Sequence, residues 1–329
     1  MNAKIRIGIC GYGNLGKGVE SEIAKNADME LGAIFTRRRP VESLNTRTDA
    51  PTVHLDDVMD WTEKIDIMVL CGGSKSDLPT QGPEMARLFN TVDSFDTHAK
   101  IPEYFKAVDG AAKEGGKTSI ISIGWDPGLF SLQRLYSSAI IPGGTSYSFW
   151  GPGVSQGHSE AIRGIDGVKN AIQYTIPNMA AMERVRKGEN PELTAREKHT
   201  RECYIVAAEG ADKNRIESEC KTMPDYFADY DTTVRFISDE EFEKNHSKTK
   251  HGGNVIHHGK TGDGNNQMIE FSLKLDANPE FTASVLIAYA RAAYRLSKEE
   301  GTGGAWTIFD IPPVLLSPAN HEELIARLL

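Results

Sequence analysis

Two kinds of hydrophobic pattern divide this chain. In about the first 125 residues, continuous apolar runs such as 65–71 and 118–123 alternate with amphipathic stretches. Continuous apolar runs are typical of buried parallel strands, and their alternation with helices predicts an α/β sheet. From about residue 144, apolar and polar positions alternate within each strand, which indicates sheets with one exposed face. We therefore expect an N-terminal parallel sheet followed by a second, mixed α+β region.

A short apolar strand over 4–10 leads into a glycine-rich loop, Gly11-Tyr12-Gly13-Asn14-Leu15-Gly16, which precedes a helix-like segment and a second strand at 31–35. In this context the spacing is the dinucleotide fingerprint, because its glycines allow a tight turn, close approach of the pyrophosphate and close helix–strand packing. The phosphates would lie at the N-terminus of the helix, where unpaired N–H groups favour anions. The sheet is therefore predicted to be of the Rossmann type.

The end of the second strand indicates which dinucleotide binds. An NAD site normally has an acid at this place to bind the ribose 2′-hydroxyl. This chain has Thr36 followed by Arg37, Arg38 and Arg39, and guanidinium groups suit a 2′-phosphate. We therefore predict NADP as the cofactor, the alternative being that the arginines form only a solvated basic turn.

The second region is predicted to contain strands at 145–150, 168–176, 201–208, 232–237 and 266–275, with helices near 178–187 and 212–221. A helix over 282–298 and an extended tail over 306–316 follow, and we expect the tail to return to the first domain. The expected division is a dinucleotide-binding domain over 1–125, with 280–329 returning to it, and a substrate-binding and dimerisation domain over 126–279.

Composition and charge exclude several classes of function. The 329 residues are 39% hydrophobic and 25% charged, and the formal net charge of −9 argues against nucleic acid as a partner. No apolar run is long enough to span a membrane and the N-terminus does not resemble a signal peptide, so we expect a cytoplasmic protein. The cysteines show no metal or redox spacing, and Cys10, Cys71 and Cys203 are expected to be buried in apolar runs.

Small or acidic residues follow three successive predicted strands of the first domain. Gly72-Gly73-Ser74 comes after the third long apolar run, Asp96 after a short strand at 91–93, and Asp126 after the strand at 118–123. Open α/β sheets bind ligands at the carboxyl ends of their strands, and two carboxylates there could bind a substrate ammonium and take up its proton. Taken singly, either acid is better explained as a helix cap or a turn residue.

Two segments of the second region are further candidates. The glycine-rich loop 150–158 would let backbone donors approach a ligand, although a plain loop explains it almost as well. Arg201 begins a strand, and its forked guanidinium suits a substrate carboxylate, although a lone arginine is usually a surface charge. His251, His257 and His258 lack the spacing of a metal site, so we predict no metal.

These motifs together resemble the meso-diaminopimelate dehydrogenases, NADP-dependent amino acid dehydrogenases of bacterial lysine and cell-wall metabolism. The resemblance extends over nearly the whole chain and implies reversible oxidative deamination of the D-centre of meso-2,6-diaminopimelate, in a homodimer. The matching segments are 11–16, 35–38, 91–96, 124–128, 149–153, 155–159, 173–175, 222–226, 251–253 and 273–279.

The resemblance also implies roles for individual residues. Asp96 and Asp126 would contact the amino group of the oxidised D-centre. NADP would be held by Gly11, Tyr12, Gly13, Asn14, Leu15, Thr36, Arg37 and Arg38, and bordered by Gly72, Gly73, Ser74, Lys75, Asp93, Ser94, Phe95, Gly124, Trp125, Pro127 and Gly128. The substrate pocket would be lined by Trp150, Gln156 and Gly157, and the distal L-amino acid end held by Thr175, Arg201, His251 and Asn278.

Two features depart from familiar members of this family. Lys100 stands where an acid is common, which could alter the electrostatics near the amine, and an insertion over about 40–50 could reshape the adenosine pocket. Two other functions stay open: another NADP-dependent oxidoreductase of the same architecture, such as an imine or sugar reductase, and a non-catalytic NADP-binding sensor.

Overall fold

The computed structural model describes residues 3–246, 250–299 and 301–329, and the chain forms two compact units. The first unit contains residues 1–132 and 279–329, and the second contains residues 133–278. Numbered in chain order, the helices are α1 (Asn14–Ile23), α2 (Leu78–Leu88), α3 (Ile101–Gly115), α4 (Leu129–Ile140), α5 (Gln156–Arg163), α6 (Met179–Arg186), α7 (Ala195–Lys198), α8 (Lys213–Thr222), α9 (Asp239–Asn245), α10 (Asn278–Leu296) and α11 (His321–Leu328).

The first unit is built on a parallel sheet, as the sequence predicted. Its strands are β1 (Ile5–Cys10), β2 (Met29–Thr36), β3 (Thr52–His54), β4 (Ile67–Leu70), β5 (Asn90–Asp93), β6 (Thr118–Ile120) and, late in the chain, β14 (Gly304–Trp306). The order across the seven-stranded sheet is β14-β6-β5-β4-β1-β2-β3. Six of these strands have the doubly wound order of the Rossmann fold, which confirms the predicted fold class.

The central strands of this sheet are buried on both faces. Ile7 and Ile9 of β1 belong to one apolar core, whereas Cys10 of the same strand belongs to a second core. In β4, Val69 packs in the first core and Met68 in the second. Successive side chains of a strand point to opposite faces, so two covered faces require a continuous apolar run. This is why β4 is apolar throughout and why β1 has only one charged residue, Arg6, near its start.

The second unit contains two smaller sheets. Its strands are β7 (Thr145–Trp150), β8 (Gly153–Val154), β9 (Val168–Pro177), β10 (His199–Ala207), β11 (Asp231–Phe236), β12 (His251–Thr261) and β13 (Asn265–Leu275). One sheet has the order β11-β10-β9-β8 and the other has the order β13-β12-β7. The alternating burial of β11 agrees with the predicted half-exposed strands.

Several local predictions were wrong. The long strand β12 was not predicted, because its glycines and histidines weaken the apolar pattern. The tail is not extended throughout, since a 3₁₀ helix forms at Pro313–Leu316. The supposed loop after Trp150 instead contains β8 and the start of α5. Cys71 is only partly buried, whereas Cys10 and Cys203 are buried as expected.

In the described ranges, no helix combines the length and apolar character that a bilayer span requires. Among the same residues, there is no group of three or more His, Cys, Asp or Glu side chains that could hold a metal ion.

Candidate functional site

Glycine is needed for a different structural reason at each of three positions in the loop after β1. Gly11 has a positive φ of 95°, which disfavours any residue with a side chain. A Cβ at Gly16 would clash with the carbonyl oxygen of Gly11, so this position requires close helix–strand packing. A Cβ at Gly13 would meet no atom within 4 Å. Gly13 therefore leaves open space at the start of α1, where the phosphates of a dinucleotide would need to approach.

This difference between two glycines can be tested. Gly16→Ala is expected to lower the free energy of unfolding by about 1–3 kcal/mol, because the methyl group meets backbone that cannot move freely. Gly13→Ala is expected to cost less than about 1 kcal/mol and instead to weaken dinucleotide binding. Urea unfolding and NADP titration of both variants measure the two effects. Equal stability of Gly16→Ala and wild type would contradict the assigned packing role.

The glycine loop opens onto a cavity of about 280 Å³ in the first unit. Of the residues predicted to hold or border NADP, the ones that line this cavity are Gly11, Tyr12, Gly13, Thr36, Arg37, Arg38, Gly72 and Gly73. Asn14 and Leu15 form the first turn of α1 beside it. The carboxyl ends of β1, β2 and β4 thus place three separate sequence motifs around one cavity, as expected for a nucleotide site.

The charges at the end of β2 fit a phosphorylated ribose. Thr36 is the last residue of β2, and its hydroxyl oxygen accepts a hydrogen bond from the backbone N–H of Arg38 at 3.1 Å. Arg37 and Arg38 are exposed and line the cavity. Arg39 instead pairs with the exposed Asp56 at 2.9 Å. Two guanidinium groups and a hydroxyl group at the cavity, with no acid on the strand end itself, fit the 2′-phosphate of NADP.

The segment 40–50, which was predicted to be an insertion, is tied to the glycine loop through a buried carboxylate. Glu20 of α1 is 1% exposed and accepts hydrogen bonds from the backbone N–H groups of Arg47 and Thr48. It also accepts one from the Tyr12 hydroxyl group within the loop. Burial alone would raise the pKa of Glu20, but these hydrogen bonds hold it below its ordinary value. This network was not predicted from the sequence, because nothing in the spacing of Tyr12 and Glu20 identifies the distant segment that joins them.

Asp93, predicted to border the cofactor, connects the ends of two strands. It is fully buried, and one carboxylate oxygen accepts from the N–H groups of Phe95 at 2.9 Å and Ser122 at 3.0 Å. The other accepts from the Tyr104 hydroxyl group at 2.8 Å. Burial raises the pKa of Asp93 to about 6, against the lowering effect of these hydrogen bonds. The side chain of Asp93 therefore holds the edge of the sheet together, as does Phe95, which stacks on Tyr104.

The two candidate catalytic acids lie at this same edge of the sheet. Asp96 is exposed, and its backbone N–H donates to the Ser74 hydroxyl group at 3.1 Å, which joins the segments after β4 and β5. Asp126 is half-buried in a tight turn that ends at Gly128, where a positive φ of 129° and the nearby Gly124 carbonyl exclude a side chain. Lys100, the departure noted above, forms an exposed ion pair with Glu103 at 3.1 Å.

The second unit holds a buried cation. Arg201 is 5% exposed, its guanidinium lies 3.9 Å from the ring centroid of Tyr230, and it donates to the Thr175 hydroxyl group. Burial lowers the pKa of Arg201, and among residues 3–246, 250–299 and 301–329 no carboxylate pairs with it. Its Nε atom is buried and makes no hydrogen bond within those ranges. A buried arginine without an acid is costly unless a ligand supplies the negative charge.

Strand register places other predicted residues beside this arginine. Arg201 of β10 pairs with Thr175 of β9, and Thr175 pairs in turn with Gly153 of β8. A side chain at Gly153 would come within 2.5 Å of the Cα atom of His251. Burial, with a smaller effect of nearby Arg201, lowers the pKa of His251 to about 4, against the raising effect of the hydrogen bond with the Gly252 backbone. His251 is therefore neutral near pH 7, and Arg201 supplies the positive charge of this cluster.

Trp150 is positioned by a histidine that was not predicted to belong to the site. The Trp150 backbone N–H donates to Nε2 of His199 at 2.8 Å, and the two rings stack at 5.1 Å. Burial, with smaller effects of Arg201 and Lys198, lowers the pKa of His199 to about 3, so its ring stays neutral and can accept this hydrogen bond. His199 precedes Arg201 by two residues on β10, so strand periodicity could have placed both on one face.

The remaining predicted substrate residues lie at helix starts. Gln156 and Gly157 are exposed in the first turn of α5, and a Cβ at Gly157 would meet no atom within 4 Å. Asn278 is half-buried at the first residue of α10. The structure thus brings Trp150, Thr175, Arg201 and His251 into one cluster of the second unit through the pairings described above.

Known proteins resemble this chain over its full length. A family model described as the diaminopimelic acid dehydrogenase C-terminal domain matches residues 124–277. A meso-diaminopimelate D-dehydrogenase of Ureibacillus thermosphaericus is 60% identical over 327 residues, which cover 99% of this chain and 100% of the relative.

Solved structures agree with this similarity. The DAP dehydrogenase of C. glutamicum in complex with DAP has a TM-score of 0.93 and 44% identity, and the match covers 99% of this chain and 100% of that one. An engineered D-amino acid dehydrogenase bound to NADP⁺ has a TM-score of 0.89 and 43% identity with the same coverage. On this evidence, the chain belongs to the meso-diaminopimelate D-dehydrogenase family.

Proposed function

We propose that this chain catalyses the reversible, NADP-dependent oxidative deamination of the D-centre of meso-2,6-diaminopimelate. The products are L-2-amino-6-oxopimelate and ammonia. Family membership over the whole chain supports this reaction, and the relative from C. glutamicum is a DAP dehydrogenase in complex with DAP. The observation that carries the proposal in this structure is the buried Arg201 without an acidic partner in the described part of the chain, because diaminopimelate brings carboxylates.

Arg201 would bind the carboxylate at the L-end of the substrate, the end that is not oxidised. A forked guanidinium can bind a carboxylate through two parallel hydrogen bonds, and the unpaired Nε atom leaves such a donor for it. Thr175 and Tyr230 hold the guanidinium in place, while His251 and Asn278 would complete the polar set around the L-amino acid group. Contacts to the end that does not react select which end is oxidised.

Asp126 and Asp96 would act on the D-amino group. A carboxylate there binds the ammonium and takes its proton, which leaves a lone pair on nitrogen that can drive loss of the C–H hydride. Bound NADP⁺ supplies the acceptor for that hydride. The same carboxylates would then take a proton from the water that hydrolyses the substrate imine. Trp150, Gln156 and Gly157 would shape the pocket around the aliphatic chain and exclude other water.

The preference for NADP would depend on Arg37 and Arg38 at the cavity. Replacing both by alanine is expected to raise the KM for NADP by about tenfold or more and to change the KM for NAD little, because each charge-assisted hydrogen bond contributes about 1.5–3 kcal/mol at best. Steady-state kinetics with both cofactors measures this change. Undiminished selectivity for NADP in the double variant would identify another phosphate ligand.

We also propose that the enzyme is a cytoplasmic homodimer, as the family resemblance implies. The four cysteines are free thiols, which fits a reducing compartment. The long edge strand β13 is largely exposed and offers a surface for a second copy of the chain. Sedimentation of the purified protein would test the dimer.

One assay separates the proposed reaction from its rivals. NADP⁺ reduction should occur with meso-diaminopimelate and should be far slower with the LL isomer, which has no D-centre. An imine or sugar reductase would reduce no NADP⁺ with either isomer, although it would turn over its own substrates. A non-catalytic sensor would bind NADP and give no turnover with any of them. The DD isomer then measures how strictly the L-end is selected.

A further inference from the structure

The nucleotide cavity contains an acid that does not come from β2. Asp77, immediately before α2, lines the same cavity as Arg37 and Gly73. In sequence it lies far from the end of β2, so the rule that reads cofactor preference from that strand end does not consider it. The structure nevertheless places a carboxylate beside the arginines that are proposed to bind the 2′-phosphate.

Two contacts fix the position of this carboxylate. One oxygen of Asp77 pairs with Nη2 of Arg37 at 2.6 Å, and the other accepts from the backbone N–H of Gly73 at 2.8 Å. The Asp77 side chain is 17% exposed, whereas that of Arg37 is 69% exposed. Burial alone would raise the pKa of Asp77, but the Gly73 N–H and Arg37 hold it below its ordinary value, so Asp77 is ionised near pH 7. Asp77 is therefore the more buried partner, held from two sides, and Arg37 is the exposed one.

The side of the cavity that Asp77 lines has a second feature that is typical of a ligand-binding surface. Gln81, one turn further along α2, lines the same cavity, and its Oε1 atom is buried without a hydrogen-bond partner in the described ranges. A buried unpaired acceptor is costly unless a ligand or water supplies a donor. This side of the cavity is thus well placed to contact the nucleotide, and the charge of Asp77 acts where the cofactor binds.

We propose that Asp77 competes with the 2′-phosphate of NADP for Arg37 and thereby limits the preference of this enzyme for NADP over NAD. The inference rests on the proposed use of NADP. A 2′-phosphate must draw Arg37 away from Asp77 or share it, and it also meets the repulsion of a carboxylate that cannot move away. NAD has a neutral hydroxyl group at this place, so it suffers neither effect and can donate a hydrogen bond to the carboxylate.

The proposal predicts the effect of Asp77→Asn. Asparagine keeps the size of the side chain and an oxygen for the Gly73 N–H, but it removes the charge that holds Arg37. The Kd for NADP is expected to fall about fivefold, with the Kd for NAD unchanged or raised, so the preference for NADP increases. Calorimetric titration with each cofactor, without any amino acid, measures this directly. Because no turnover is involved, the result does not depend on whether the proposed deamination is correct.

The chain offers a matched control in the neighbouring ion pair. Arg39 and Asp56 pair at 2.9 Å and are 68% and 74% exposed, and neither lines the cavity. Asp56→Asn is therefore expected to leave both Kd values unchanged. If it increased the affinity for NADP as much as Asp77→Asn does, the effect of Asp77→Asn would come from net charge alone. A weaker affinity of Asp77→Asn for NADP, or an unchanged ratio of the two Kd values, would overturn the proposal.

A double variant isolates the competition for Arg37. In an Arg37→Ala background, Asp77→Asn should improve NADP binding by less than it does in the wild type, because the contested partner is gone and only the repulsion between the carboxylate and the phosphate is relieved. A gain that persists in full without Arg37 would overturn competition as the cause. Circular dichroism and urea unfolding of each variant check that the fold is retained.

Discussion

Arg201→Met is expected to raise the KM for meso-diaminopimelate by about 30-fold or more, while the Kd for NADP stays close to that of the wild type. Truncating one partner of a buried, hydrogen-bonded charge pair costs about 2–5 kcal/mol, much of it from the charge that is left unpaired. Methionine fills a similar volume beside Thr175 and Tyr230, so the loss reflects charge rather than a cavity. Steady-state kinetics at saturating NADP⁺ measures the KM.

No other side chain of this cluster can replace the charge. Burial is the main cause that lowers the pKa of His251 to about 4 and that of His199 to about 3, and burial remains when Arg201 is replaced, so we expect both rings to stay neutral at pH 7 and above. The effect of Arg201→Met should therefore be the same at pH 7 and pH 9. An effect that disappears near neutral pH would indicate that a histidine carries the charge instead.

Two controls separate substrate binding from structural damage. Arg186 belongs to the same unit and is already paired with Glu270 at 2.6 Å, so Arg186→Met should leave the KM unchanged. The KM for a D-amino acid of the same chain length, but without the distal carboxylate, should not change on Arg201→Met, because this substrate has no group for Arg201 to bind. If that substrate and diaminopimelate were affected equally, Arg201 would not be a carboxylate ligand.

Motifs that are contiguous in sequence were predicted well. The glycine loop directly follows β1 and the arginines directly follow β2, and Asp96 and Asp126 lie in the segments after β5 and β6. The carboxyl ends of parallel strands meet at one edge of the sheet. The alternation of apolar and polar residues likewise predicted the strand that contains Arg201. In these cases local chemistry and a general topological rule together suffice.

Partners that are distant in sequence were not predictable. Asp77 contacts Arg37 across 40 residues of sequence, and Tyr230, immediately before β11, packs on the guanidinium of Arg201. The hydrogen bonds of Glu20 likewise come from Arg47 and Thr48, which are more than 20 residues further along the chain. β12 escaped because Gly252 and Gly253 interrupt its apolar pattern, yet its register with β7 and β13 compensates for its weak local preference. Such features depend on which elements meet in three dimensions.

The charge of Asp126 also has a large expected effect, and an isosteric variant tests it. Asp126→Asn should lower kcat by at least about 100-fold, because asparagine cannot take the proton of the substrate ammonium. The Kd for NADP should stay within about twofold, since the arginines and the glycine loop are unchanged. Stopped-flow measurement of NADPH formation in a single turnover would place the loss in the chemical step rather than in product release.

The rival explanation for Asp126 is that it only closes the turn that ends at Gly128. Asparagine is as common as aspartate in turns, so this rival predicts a normal kcat for Asp126→Asn. Asp96→Asn gives a second comparison, because Asp96 is exposed whereas Asp126 is half-buried. A carboxylate acts more strongly on a bound ammonium where water is scarcer. The larger loss is therefore expected for Asp126, and the reverse order would make Asp96 the principal base.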